Sequence, residues 1–471
     1  MLSRIREWLT LVLIALLPFH ALLVTVITKI IAGPGHAPLG VLAVWKEAMV
    51  VVILLLTCLE VIITFQSQVT SHKSQVLKID TIDVCILLGI LYAIGLEILH
   101  HSTLYILHSS FLLGFKYDFL PLVAFFILRR VSWSAWFQQT VINVLLAVGA
   151  IVALYGIATF FLPMSFFTWL GYSDLHSLYQ AQGPLAAFQQ IGGSTLRRIQ
   201  STMSGPNQLG VWLLIPLAIS LGHLKKLGTK GAGCFPRSTW NAWILFTLVL
   251  LSSALFLTFS RASWIGAGVM VAVMLWQRVY RKSLVVWWFT GLVVLAGIAI
   301  ALAPQILIRK QSLIGHIEKP LVALQTIIAH PFGLGLGSAG PASNRTSDTC
   351  IDQPVGSDIS WAKDRPDLCI FIDTKQVQPT NRTCTCPLLT ENWYLQWGVE
   401  MGWVGLFLSV LLPILILKKL QHQLYILHST FYIFLAVSIA SLFLHAWEDS
   451  AVALTVWMLL SALQANTKTS K

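Results

Sequence analysis

Charge is what this chain has least of. Asp, Glu, Lys and Arg make up 11% of its 471 residues, less than half the share in an ordinary soluble domain. With 56% hydrophobic residues and a mean hydropathy of +0.76, that scarcity excludes the soluble globular class. Strict apolar–polar alternation is also lacking. The apolar stretches are solid runs, so a membrane β-barrel is excluded. Acidic residues are the scarcer sign, 19 against 31 Lys and Arg. In a membrane protein the resulting +12 reports topology and any anion held, not nucleic acid.

What is there instead is a series of apolar runs, each long enough to cross about 30 Å of hydrocarbon. The runs predict an all-α polytopic membrane protein with about 12 transmembrane helices. The first, Trp8–Ala32, follows Arg4 and Arg6 and is too long for a cleaved secretory signal. Val41–Phe65, Ile82–Leu99, Leu104–Leu128 and Val141–Leu162 follow, then a polar segment, Pro163–Pro206. Gln208–Leu224, Asn241–Phe259, Ala262–Trp276 and Val285–Leu307 come next. After a long polar interval the last three are Trp393–Leu417, Leu424–Ala446 and Ala451–Leu463.

Twelve spans place both termini in the cytoplasm. More than half of the Lys and Arg then fall inside, and the short outer links carry none, as topology requires. The chain divides into residues 1–305, a large extracytoplasmic loop over 306–391, and 392–471. The loop is predicted to open with a short helix, Pro320–Ala329, followed by His330-Pro331-Phe332-Gly333-Leu334-Gly335-Leu336-Gly337.

Four of the seven cysteines, Cys350, Cys369, Cys384 and Cys386, lie in that loop, where disulfides can persist. Four cysteines allow three pairings, which spacing does not separate. Two disulfides are expected. Cys384-Thr385-Cys386 is too tight for the usual structural zinc pattern, so no metal is expected. Cys58, Cys85 and Cys234 are read as free thiols.

With charge so scarce, charges at span ends carry information. Arg197 and Arg198 stand just before the span start Pro206-Asn207, where guanidinium forks and free backbone N–H groups both suit phosphate. Arg261 sits on the minimal turn Phe259-Ser260-Arg261-Ala262 between two spans. Glu391-Asn392 opens the span after the large loop, where a carboxylate with a raised pKa could serve as a base. The bland readings are a headgroup-binding Arg pair, a snorkelling Arg and a helix cap. Lys116, Tyr117 and Asp118 interrupt the fourth span and suggest an internal ion pair. His330 is a second base candidate, and Glu400 is expected to orient a helix contact. Glu47, Glu60 and Glu97 are carboxylates at membrane depth.

Taken in order, Arg198–Gly210, Thr258–Ala262, Ala329–Gly337, Glu391–Leu395 and Glu400-Met401-Gly402 resemble the bacterial O-antigen ligase and polymerase superfamily. The resemblance covers roughly residues 114–417 and includes the long loop before the last spans. It implies a GT-C-like membrane fold. The implied reaction is cofactor-free and metal-independent: a glycan leaves a polyprenyl diphosphate carrier for a glycan or lipid-linked acceptor, at the outer face of the bacterial inner membrane. By carry-over, Arg198 and Arg261 hold the diphosphate, and Arg197, Asn207, Lys116, His330 and Asn392 are further substrate-binding candidates. Glu391 replaces the histidine that the ligases carry as base, which leans the reading toward a polysaccharide polymerase or a non-lipopolysaccharide ligase. Besides donor and acceptor the expected contacts are membrane lipids. The rival from another class is a transporter or flippase of lipid-linked sugars, working through Glu47, Glu60 and Glu97.

Overall fold

The computed structural model describes residues 1–69, 79–100, 109–174, 183–191, 196–223, 237–278, 290, 310–353, 355–363, 365, 368–373, 375–422 and 428–464. The expected span Val285–Leu307, apart from Thr290, lies outside the described residues, as does Cys234.

The protein is mostly helical. Five helices are long and apolar enough to cross a membrane, or six if one bent pair counts as a single span. The first is Leu2–Ala32, in which α1 (Leu2–Leu16) and α2 (His20–Ala32) flank a 3₁₀ turn at Leu17–Phe19. Pro18 has no N–H to donate, so the ladder tightens there. A short α3 (Gly40–Ala43) leads into α4 (Trp45–Val69), and α5 is Thr81–His100. The expected single span 104–128 is instead two helices among its described residues, α6 (Ser109–Asp118) and α7 (Leu120–Leu128), bent by 46°. Pro121 near the start of α7 accounts for the break. α8 (Ala135–Phe161) starts at Ser134, whose Oγ accepts the Phe137 N–H at 3.1 Å. α9 is Met164–Leu170.

Three helices form the centre: α10 (Pro206–His223), α12 (Arg261–Arg278) and α16 (His428–Ala440), with α11 (Arg237–Leu257) packed on α8 and α10. Close approaches fix their directions. A Cβ at Gly210 would lie 2.6 Å from Ser263 Oγ, and Gly266 meets Leu214, so α10 and α12 run parallel. Gly266 would also place a Cβ 2.7 Å from Ala436 O, and Tyr432 Oη donates to Gln277 Oε1 at 2.6 Å. α16 therefore runs antiparallel to α12, with the small residue allowing the backbones to close.

The helix entering the large loop differs from expectation. α13 runs Lys310–Ala329, starting ten residues before Pro320, which lies in its interior. It packs along α15 (Trp393–His422), with Ala323 and Ile327 buried and the Ile327 side chain on Gly398. α15 is broken inside, at Met401 (φ −123°, ψ 16°) and Gly402 (φ 63°, ψ −154°). The turn after α13 docks into that break: Leu334 N donates to Val399 O (2.9 Å), Gly335 N to Glu400 O (3.0 Å), and Trp403 N to Pro331 O (3.0 Å). The remainder of the loop holds α14 (Gly340–Thr346) and strands β1 (Cys350–Gln353), β2 (Cys369–Ile372) and β3 (Lys375–Gln378). β1 is parallel to β2, and β2 antiparallel to β3. Disulfides join Cys350 to Cys386 and Cys369 to Cys384. α17 (Ser450–Gln464) closes the described chain.

Charges between the helices are paired. Arg6 meets Glu60 at 2.9 Å, and Arg129 bridges Asp80 (2.6 Å) and Asp83 (3.0 Å), with Lys419 also on Asp80 (2.6 Å).

Glycine at 402 is a requirement of the docking. An added Cβ would stand 2.0 Å from Pro331 O at a left-handed φ. Gly402→Ala should cost about 3 kcal/mol or more, whereas Gly268→Ala, with open space around it, should be neutral or stabilise by about 0.5–1 kcal/mol. Thermal unfolding of the two variants in detergent checks the contrast.

Candidate functional site

The segment before α10 folds onto the turn before α12. Arg198 is buried, 7% exposed. Its guanidinium donates from Nε to Thr258 O (3.0 Å), from one terminal nitrogen to Gln189 Oε1 (2.9 Å), and from the other to Asn207 Oδ1 (2.7 Å). Ile199 N donates to Leu257 O at 3.2 Å. The turn itself is tied by Ser260 N to Thr258 Oγ1 (3.2 Å) and by a 2.9 Å hydroxyl pair, Ser260 and Ser263. Arg261 then opens α12, half-buried and three residues beyond the carbonyl that anchors Arg198. The stretches carrying Arg198, Asn207 and Arg261, separate in sequence, are thus one locked unit. Arg197 points elsewhere: it donates to Leu162 O, and its guanidinium lies 4.3 Å from the Phe188 ring centroid.

The start of α15 joins the same end of the bundle. Asn392 Oδ1 accepts the Leu395 N–H (3.0 Å) and its Nδ2 donates to Leu442 O (2.9 Å). Trp393 N donates to Ser441 O at 3.0 Å. Because α16 is antiparallel to α12, the segment 441–445 beyond its C-terminus lies at the level of Arg261. Asn392 therefore spends its amide on capping and tethering rather than pointing it at a substrate.

Glu391, at φ 51°, sits against α13. Its Oε1 accepts from Lys319 Nζ at 2.8 Å, and His316 Nδ1 is 3.9 Å from its Oε2. Burial pushes this carboxyl up, but Lys319, His445 and His316 pull harder the other way. The net position is below the ordinary glutamate range. The expected rise is therefore not found, and the reason is the ammonium 2.8 Å away. Burial also holds His445 down to about 4, so its imidazole is neutral at neutral pH.

Lys319, His316 and His445 were not nominated from sequence. The signal was present for the first two: positions 319, 323 and 327 share one helical face, but a helix assumed to begin at Pro320 leaves Lys319 off it. His330 is not part of this group. It is exposed at the end of α13, roughly 16 Å along the helix from Lys319. Lys116 also lies elsewhere, paired with Glu47 at 2.7 Å.

Backbone strain marks the same places. Among the described residues, Ser201, Phe259, Asp373 and Glu391 are the non-glycine residues with positive φ. Three of these fall in the three stretches just described. Such outliers persist where surrounding structure holds them, and they cluster at functional sites. No protein-family model matches this chain, and no curated protein does.

The depressed Glu391 carboxyl gives a signed prediction. A lowered folded-state pKa contributes stability above the unfolded value and loses it as pH falls through the folded one. The gap in unfolding temperature between wild type and Glu391→Gln should be full at pH 7, begin to shrink as pH falls through about 4.4, and vanish only below the lower folded-state value.

Proposed function

We propose that the protein is a membrane glycosyltransferase of the surface-polysaccharide polymerase or ligase kind, using a polyprenyl-diphosphate-linked donor. The observation that supports this best is the unit built from Arg198, Asn207 and Arg261. Two guanidinium groups and the N-termini of the parallel helices α10 and α12 gather at one end of the bundle. Aligned helix N-termini and fixed Arg forks favour a diphosphate and the charge it gains as the sugar leaves. Glu391 stands at that same end, at the start of α15.

In this reading the acceptor hydroxyl oxygen attacks the anomeric carbon of the donor sugar. The new glycosidic bond forms as the bond to the diphosphate oxygen breaks, and the carrier leaves as its diphosphate. Glu391 takes the hydroxyl proton. Its ion pair with Lys319 keeps it ionised, which makes it available in neutral solution at the expense of basicity. The twelve-span topology, the cytoplasmic termini and the extracytoplasmic placement of this end belong to the same proposal. The transporter rival is less well served: Glu60 is held by Arg6 and Glu47 by Lys116, which are structural pairings.

The test is a reconstituted assay with carrier-linked glycan extracted from the source organism. Arg198→Ala and Arg261→Ala should each cut release of carrier diphosphate by about 100-fold or more while the protein still accumulates. Undiminished release by both variants would remove the diphosphate assignment. Donor crossing the vesicle membrane without any release would favour the transporter.

A further inference from the structure

A second charged group lies apart from Arg198, Arg261 and Glu391, at the junction of α4, α6 and α14. Lys46 Nζ is 3.0 Å from His20 Nε2 and 3.5 Å from Glu47, and Lys116 Nζ is 2.7 Å from Glu47. One carboxylate is therefore shared by two ammonium groups. Arg345, on α14, adds a third cation. Its guanidinium lies 5.9 Å from the Tyr117 ring centroid, and Lys116 Nζ lies 5.4 Å from the same ring. Among the described residues Arg345 forms no ion pair.

The loop is held firmly where it carries Arg345. α14 packs against α6. Just before it, a Cβ on Gly114 would come within 2.4 Å of Gly337 N, and Glu400 Oε1 accepts from Gly337 N (2.9 Å). Two further acids lie nearby, Glu448 and Asp449. Burial pushes both carboxyls up, Glu448 also through Asp118 and Glu400 beside it. Asp449 Oδ1 is occupied in accepting from Ala451 N (2.9 Å) and Val452 N (3.0 Å).

Lys46 and Lys116 thus share one carboxylate, and the Lys116 ammonium and the Arg345 guanidinium, from two elements, both lie close to the Tyr117 phenol ring. That donor set matches an oxyanion with several acceptor atoms. Leu112, one turn before Lys116 on α6, is an exposed apolar side chain, so the anion can arrive attached to a lipid.

We propose that Lys116, Arg345 and Tyr117 form an anion site, distinct from the Arg198–Arg261 unit, that takes a phosphate-type oxyanion such as a lipid phosphate. The inference does not depend on the glycosyl-transfer reading.

The experiment is calorimetric titration of the full-length protein in dodecyl maltoside with dihexanoyl phosphatidic acid and, separately, inorganic phosphate. The variants are Lys116→Ala, Arg345→Ala and, as the control, Arg198→Ala. Each of the first two should weaken binding of phosphatidic acid about tenfold, the loss expected for one charge-assisted contact. Arg198→Ala should leave it unchanged even if transfer is abolished, which separates this site from the first. Tighter binding of phosphatidic acid than of phosphate identifies a lipid headgroup as the source, and equal binding identifies the free ion. No binding by wild type overturns the proposal. So does undiminished binding by Arg345→Ala, a substitution on an exposed loop residue that leaves the helix packing intact.

Discussion

The docking of the turn 331–337 into the break of α15 is the contact on which the rest of this end depends. A helix interrupted in apolar surroundings strands backbone N–H and C=O groups, which must find partners. Here Val399 O, Glu400 O and Trp403 N find them on the turn, and Gly333 and Gly402 let the two backbones touch. The docking holds α13 along the first part of α15. That places Lys319 against Glu391, and it brings α14 down onto α6. The two charged groups, at Glu391 and at Lys116, are thus braced by one interlock between them.

The scarcity of charge shapes what each group can do. Arg6, Arg129 and Lys419 are committed to carboxylates within the helices. Arg198 is oriented, among its contacts with described residues, by a carbonyl and two side-chain amide oxygens.

The helical class and the stretches around Arg198, Arg261 and Glu391 were legible because apolar runs end abruptly and leave charges at their edges. Lys116-Tyr117-Asp118 was legible as an interruption for the same reason, and it coincides with the bend between α6 and α7. What was not legible came from long-range contact. Pro320 reads locally as a helix start, yet packing of Ala323 and Ile327 on α15 carries the helix through it. Gly402 reads as a small packing residue, and its left-handed φ follows only from the turn that docks there. His445 lies more than fifty residues from Glu391 in sequence, so no local pattern could join them.

The two disulfides are nested, Cys369–Cys384 within Cys350–Cys386, and both partners of each lie before Glu391. In the order of synthesis, every cysteine the loop needs has emerged before α15 begins. The loop's crosslinks are therefore complete without any residue of the last helices. The Asn392–Leu442 contact, by contrast, can close only once the chain has been made as far as residue 442.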